Sequence, residues 1–225
     1  MRIGIIGPSK EEIYPFIESM DIQKISHFAM LTFHEGLYKD LDVVALYCGV
    51  CKVNAAIAAQ VLVDKFEVTH IIVVGVAGGI DARLKIGDTV ISTEVAYHDV
   101  DKGILTEYHP WMHDVYFKAD ANLLRICSKF ENVVLGRVVT GEAFITDDGR
   151  QEIIDKYTPL CVDMETGAIA HACYVNNIPF IAIRSITDTL EDSGIEVFEE
   201  NCVDASNVSI NVLKQLLNRI KSELV

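Results

Sequence analysis

The sequence predicts an α/β fold whose chemistry collects along one edge of a central sheet. Three observations carry that reading. Short Val- and Ile-rich runs, at 2–7, 43–48, 70–74, 89–93, 133–139 and 180–183, have the length and composition of buried strands. Between them lie segments with apolar residues at helical spacing, at 53–66, 119–130, 150–156, 166–172 and 201–224. Glycines and carboxylates cluster just after the strands, where open α/β sheets bind ligands.

Composition sets the bounds. The 225 residues suit one sizeable α/β domain, 1–225, and half of them are hydrophobic, enough for a large core without staples. Nineteen Lys and Arg stand against 33 Asp and Glu, a net charge of −14. A face basic enough for nucleic acid is therefore not expected. Six scattered cysteines in apolar surroundings read as reduced, buried thiols. No signal segment or run of membrane-spanning length stands out, so the expected location is the cytoplasm.

In chain order, Arg2–Gly7 reads as the first strand, and Pro8-Ser9 opens a helix. Ser9 with Glu12 three residues on matches a capping box, a purely structural reason for that carboxylate. Residues 27–38 read as a strand pair turning near Glu35-Gly36. Cys48-Gly49-Val50-Cys51 has redox spacing, but nothing around it fits a redox domain. Gly75-Val76-Ala77-Gly78-Gly79 reads as a loop at a strand end, where glycines let backbone approach a ribose or an anion. His98 and the acids beside it lie along extended chain without metal-ligand spacing. Residues 104–113, with Trp111, are the least regular. Phe144 suits stacking on a flat base or packing in the core.

The most informative stretch is VDMETGAIAHACYVNNIPFIAIRSITD, Val162 to Asp188. It places Glu165 at a helix start and Asp188 just past a strand end. Each also has a bland reading, as a dipole-favoured helix carboxylate and as a turn residue. VDMETGAIAHAC with IPFIAIRSITD resembles the signature of the purine nucleoside phosphorylase superfamily, and within it the methylthioadenosine/S-adenosylhomocysteine nucleosidases. The resemblance extends over the whole chain. It implies three α/β/α layers around a mixed, partly barrel-like sheet, and a purine nucleoside substrate with no metal or cofactor.

It also implies residue roles. Glu12 would activate water and Asp188 would protonate N7 of the purine. Glu165 would take the ribose hydroxyls, with Met164 against the sugar. Arg184 would orient Glu12 or Glu165 unless it is a structural ion pair. Val76, Ala77 and Gly78 would form the ribose loop, Phe144 would stack on the base and the Ile145 backbone would read the adenine edge. Segment 104–113 would lie at a homodimer interface. The chain departs from the pattern at Cys51, where the family has Gly, and at Val76, where nucleosidases carry Ser or Thr. Related phosphorylases place an Arg and a Ser where this chain has Val73 and Val76, which favours water over phosphate. A nucleoside-binding protein without catalysis is the alternative of another class.

Overall fold

The computed structural model describes residues 1–109, 111–146 and 149–223. The first strand, β1 (Arg2–Gly7), leads into α1 (Lys10–Ile17), and the antiparallel run β2 (Asp21–Phe28), β3 (Leu31–Tyr38), β4 (Leu41–Tyr47) follows. Then come α2 (Lys52–Phe66), β5 (His70–Gly79), β6 (Thr89–Tyr97), α3 (Lys102–Glu107), β7 (Phe117–Lys118) and α4 (Ala121–Cys127). The chain closes with β8 (Val133–Thr140), α5 (Arg150–Tyr157), β9 (Cys161–Asp163), α6 (Thr166–Asn176), β10 (Phe180–Asp188) and α7 (Ile195–Glu223).

The sheet order is β10-β6-β8-β9-β5-β1-β4-β3-β2, and β10 also pairs with β5. That extra pairing closes β10, β6, β8, β9 and β5 into a barrel, from which β1, β4, β3 and β2 run on as an open wing. Parallel and antiparallel pairs are mixed, and β1 runs parallel to both β4 and β5. The β1 sequence RIGIIG and the β10 sequence FIAIRSITD are buried along nearly their whole lengths, as strands covered on both faces require. One face packs on α2 and α6, through residues such as Ala55, Ala58, Leu62, Ile169 and Cys173. The other packs on α1, α4 and α7, through Phe16, Leu123, Leu213 and Leu216. Three α/β/α layers around a mixed, partly closed sheet is the expected fold class.

The structure corrects several local expectations. The hairpin turns at Ala29-Met30, not near Glu35-Gly36; both turn residues have positive φ, 49° and 63°, with no Gly or Asn to signal it. Gly36 instead sits inside β3, where a Cβ would come within 2.1 Å of the Asp21 carbonyl oxygen. Segment 104–113 begins with the last turns of α3, capped by the Asp101 carboxylate on Gly103 N–H, and Pro110 lies outside the described residues. The last helix starts at Ile195, six residues earlier than its apolar spacing suggests, and Leu224 also lies outside the described residues.

The largest correction concerns the glycine segment. Gly75–Gly79 is not a loop: β5 continues through it, paired with β10 on one side and with β9 on the other. Its glycines serve close approach within the protein. A Cβ on Gly75 would lie 2.2 Å from the Glu12 carboxylate and 2.6 Å from Arg184 Nη1.

Candidate active site

A cleft of about 600 Å³, part of it open to solvent, lies over the ends of β1, β5, β9 and β10. Pro8, Glu12, Val50, Val76, Ala77, Gly78, Met164, Glu165 and Asp188 line it, and Phe144 and Ile145 face them from the segment after β8. Every site residue expected from sequence except Arg184 lines this one cleft. Arg184 lies just beneath it, fully buried.

Glu12 is in the first turn of α1. Ser9 does cap that helix, accepting the Glu12 N–H at 3.4 Å. The Glu12 carboxylate does not complete a capping box: it reaches across to accept the Val76 N–H at 2.8 Å, with Arg184 Nη1 at 3.8 Å. Glu165 stands at the N-cap of α6 but does not cap it. Its carboxylate accepts the Cys51 N–H at 2.9 Å and an Arg184 N–H at 3.4 Å. Both carboxylates are buried, and burial raises their pKa above the ordinary carboxylate value; Arg184 opposes that rise and Asp163 adds to it.

Asp163 was not singled out from sequence, yet it is the most heavily bonded carboxylate in the site. It accepts from the Thr140 hydroxyl at 2.5 Å, the Thr166 hydroxyl, and the Glu165 and Thr166 N–H groups at 3.3 and 3.2 Å. Arg184 Nη2 pairs with it at 2.8 Å. Arg184 also donates through Nε and Nη2 to Thr166 Oγ1, at 3.0 and 2.9 Å, and through Nη1 to the Val76 carbonyl at 3.3 Å. One guanidinium thus stands among three carboxylates. The resemblance implied that Arg184 orients Glu12 or Glu165 unless it is a structural ion pair; it contacts both, and pairs with Asp163 as well.

Asp188 closes β10 where the pairing with β5 shifts register between Ile186 and Asp188. Gly78 opposite leaves room, since a Cβ there would sit 3.3 Å from the carboxylate. The Thr187 hydroxyl donates to Asp188 at 2.9 Å. Burial raises the Asp188 pKa, against that hydroxyl and Arg150. The carboxyl-edge expectation, made for Glu165 and Asp188, holds for Asp188, the last residue of β10, which runs parallel to β5. Glu165 instead follows β9, which runs antiparallel to β5.

The opposite wall is softer. Phe144 is half-buried and meets Phe198 of α7 edge-on, centroids 5.8 Å apart at 80°. Phe198 was missed because the early start of α7 was missed. The start of this segment is tied to α2: Lys52 Nζ pairs with Asp99 at 2.8 Å, and Glu142 accepts the Lys52 N–H while donating its own N–H to Asp99. At the adjoining turn Cys51 holds φ 82°, ψ 162°, a conformation that strongly favours glycine. The Cys48 thiol donates to the Gly49 carbonyl, and burial raises the pKa of both Cys48 and Cys51, the opposite of a reactive pair. Among the described residues no group of three or more His, Cys, Asp or Glu is placed to hold a metal ion.

The sequence profile of the phosphorylase superfamily matches residues 2–218. The chain belongs to that superfamily. Within the superfamily it is 35% identical to a 5′-methylthioadenosine/S-adenosylhomocysteine nucleosidase from an Exiguobacterium species, over 98% of this chain and 99% of that one. A crystal structure of such a nucleosidase from Colwellia psychrerythraea, in complex with adenine, superposes with a TM-score of 0.89 at 33% identity, covering 97% and 95% of the two chains. One from Streptococcus pneumoniae, with a transition-state inhibitor, gives 0.88 at 30% identity, covering 96% and 98%. The phosphorylase-superfamily fold thus comes with nucleosidase relatives of the same length.

Proposed function

We propose that this chain is an N-ribosyl hydrolase that releases adenine from 5′-methylthioadenosine and S-adenosylhomocysteine. The observation that carries hydrolysis over phosphorolysis is the state of the site's cation. Arg184 is fully buried and committed to Asp163, Glu165 and Glu12, and no Lys or Arg is among the described residues lining the cleft. Phosphate would meet carboxylates there; water meets a base.

The chemistry follows from the geometry. Breaking a glycosidic bond calls for an acid at the leaving group and a base at the nucleophile. Asp188, whose pKa burial raises, serves as the acid that donates to N7 of adenine, so the base leaves neutral. Glu12 has carboxylate lone pairs beyond the one on the Val76 N–H and takes a proton from the attacking water. Burial strengthens it as a base. Glu165, steadied by Cys51 and Arg184, accepts the ribose 2′- and 3′-hydroxyls, and Met164 packs on the sugar. Val76, Ala77 and Gly78 line the sugar pocket as strand. Phe144, with Phe198 behind it, covers the adenine ring, and the Ile145 backbone reads its edge. The apolar Pro8, Val50 and Phe198 suit a thioether substituent. Neither metal nor cofactor has a role. A binding protein without catalysis would have no use for a buried acid and a buried base lining one cleft.

We also infer a homodimer of one continuous domain in a reducing cytoplasm. Val53, Ile57, Trp111, Tyr174 and Val175 are exposed large hydrophobics, and Trp111, Tyr174 and Val175 share one surface cavity. The six free cysteines support the compartment. A fully active monomer in sedimentation at assay concentration would contradict the dimer. The function itself is tested by incubating the protein with a nucleoside panel, with and without phosphate and chelator. Adenine and free methylthioribose should appear at rates that neither addition changes. A product that requires phosphate, or no turnover of any adenine nucleoside, overturns the reading.

A further inference from the structure

Asp163 is a buried carboxylate that the reaction as described does not use. Its two oxygens offer about four lone-pair sites, and five donors converge on them: two hydroxyls, two backbone N–H groups and Arg184. Although it borders the cleft, it has no capacity left for a ribose hydroxyl or for water. It can act only through what it holds.

What it holds is the orientation of the guanidinium. Thr166 Oγ1 accepts from Nε and Nη2 of Arg184 and donates its own proton to Asp163, so the hydroxyl is a relay with a fixed direction. Thr140 fixes the other carboxylate oxygen while accepting the Gly167 N–H at 2.8 Å, which ties the cluster to the first turn of α6. With Nε and Nη2 taken up in this way, Nη1 is left pointing at Glu12 and the Val76 carbonyl, and a third, longer Nη2 contact reaches Glu165. Without a third carboxylate, the guanidinium charge would fall on Glu12 and Glu165 alone.

We propose that Asp163, with Thr140 and Thr166, is a positioning residue that fixes Arg184 between Glu12 and Glu165 and neutralises most of its charge there. The proposal rests on the hydrolase reading and adds to it a division of labour among the three carboxylates. Two face the substrate, and the third keeps the shared cation from weakening the base. Burial and Asp163 both raise the pKa of Glu12 and Glu165, whereas Arg184 lowers it. The other titratable groups felt around these two are Cys48 after β4, Cys51 before α2 and Cys202 on α7, whose thiols burial also raises and which stay neutral.

The test is Asp163→Asn, which keeps the shape and one acceptor oxygen but removes the charge and turns the other oxygen into a donor. With methylthioadenosine, kcat should fall about ten- to a hundredfold, as for a misplaced catalytic group, while KM changes less than threefold. The acid limb of the kcat profile should move to lower pH by about one unit, because Arg184 then acts on Glu12 uncompensated. A purely structural role would lower activity with the wild-type profile intact, and that result, or wild-type kcat, overturns the proposal. Thr166→Val keeps the charge and breaks the relay: kcat should fall severalfold with the acid limb in place. It carries the test if Asp163→Asn does not fold, and unchanged kcat then overturns the proposal. Carboxylate titration of the resting protein by infrared difference spectroscopy needs no turnover. There Asp163→Asn should shift the buried glutamates to lower pH, even if wild-type turnover on the nucleoside panel were to refute hydrolysis; an unshifted titration overturns the inference alone.

Discussion

The two walls of the cleft are built differently. On the sugar side Glu12, Asp163, Glu165 and Arg184 are buried and set on or against β5, β9 and β10, whose backbones are paired. On the base side Phe144 and Ile145 are half-buried and sit on a segment without regular structure, tied at its start by Lys52, Asp99 and Glu142. In the proposed mechanism the charges whose proton affinity sets the rate need fixed distances and exclusion of water, which a closed sheet supplies. In that mechanism the wall facing the base only has to close over a flat ring, a task suited to a tethered loop. The difference separates rate from recognition.

Substitutions can break that separation. The largest effect belongs to the sugar wall and its acid partner. Glu12→Gln and Asp188→Asn should each lower kcat at least a hundredfold while a substrate analogue still binds, read by steady-state kinetics and calorimetry. Next is the base wall. Phe144→Ala should raise KM several- to tenfold with kcat within about threefold, the scale of one lost aromatic contact. A kcat collapse in Phe144→Ala would put the loop in the chemistry and dissolve the comparison.

Val76 sharpens it. Its N–H already holds Glu12, so the hydroxyl of the related nucleosidases is missing only for the water. One neutral hydrogen bond is about 0.5–1.5 kcal/mol, a rate factor of roughly two to ten. Val76→Thr, of nearly equal volume, should raise kcat by that factor with KM unchanged. No gain would mean that another group already places the water.

Much of this was legible in the sequence, for identifiable reasons. Buried strands such as Arg2–Gly7 and Phe180–Asp188 announce themselves because covering both faces demands continuous apolar runs. Glu12 was visible but ambiguous, since Ser9-x-x-Glu12 spells a cap. Only the fold shows the carboxylate turned to Val76. Gly75–Gly79 was misread because glycines that accommodate a neighbouring carboxylate look the same as glycines that accommodate a ligand. Asp163 and Phe198 were not legible. The first gains its meaning from Thr140 and Arg184, more than twenty residues away in sequence on either side for one and the other. The second faces the cleft only because α7 starts before its apolar spacing does.

The smallest effect is on stability, and its sign opposes that on rate. Glu12 has a raised folded-state pKa, so the folded protein holds a proton that the unfolded chain releases near the ordinary value of 4.5. The stability this contributes is fully present below that pH and lost as pH rises through the higher folded value. Glu12→Gln removes the penalty and can still accept the Val76 N–H. Its Tm should match wild type near pH 4 and exceed it by a few degrees at pH 8. A lower Tm at pH 8 would mean that the carboxylate stabilises the fold instead of being held against it.

The central claim, that the buried carboxylate frame is built to deliver water and not phosphate, has a direct test in a single turnover. Enzyme in excess over methylthioadenosine, in ¹⁸O-enriched water with phosphate present, should yield methylthioribose carrying one ¹⁸O at its anomeric carbon and unlabelled adenine. A sugar 1-phosphate without the label would contradict the account.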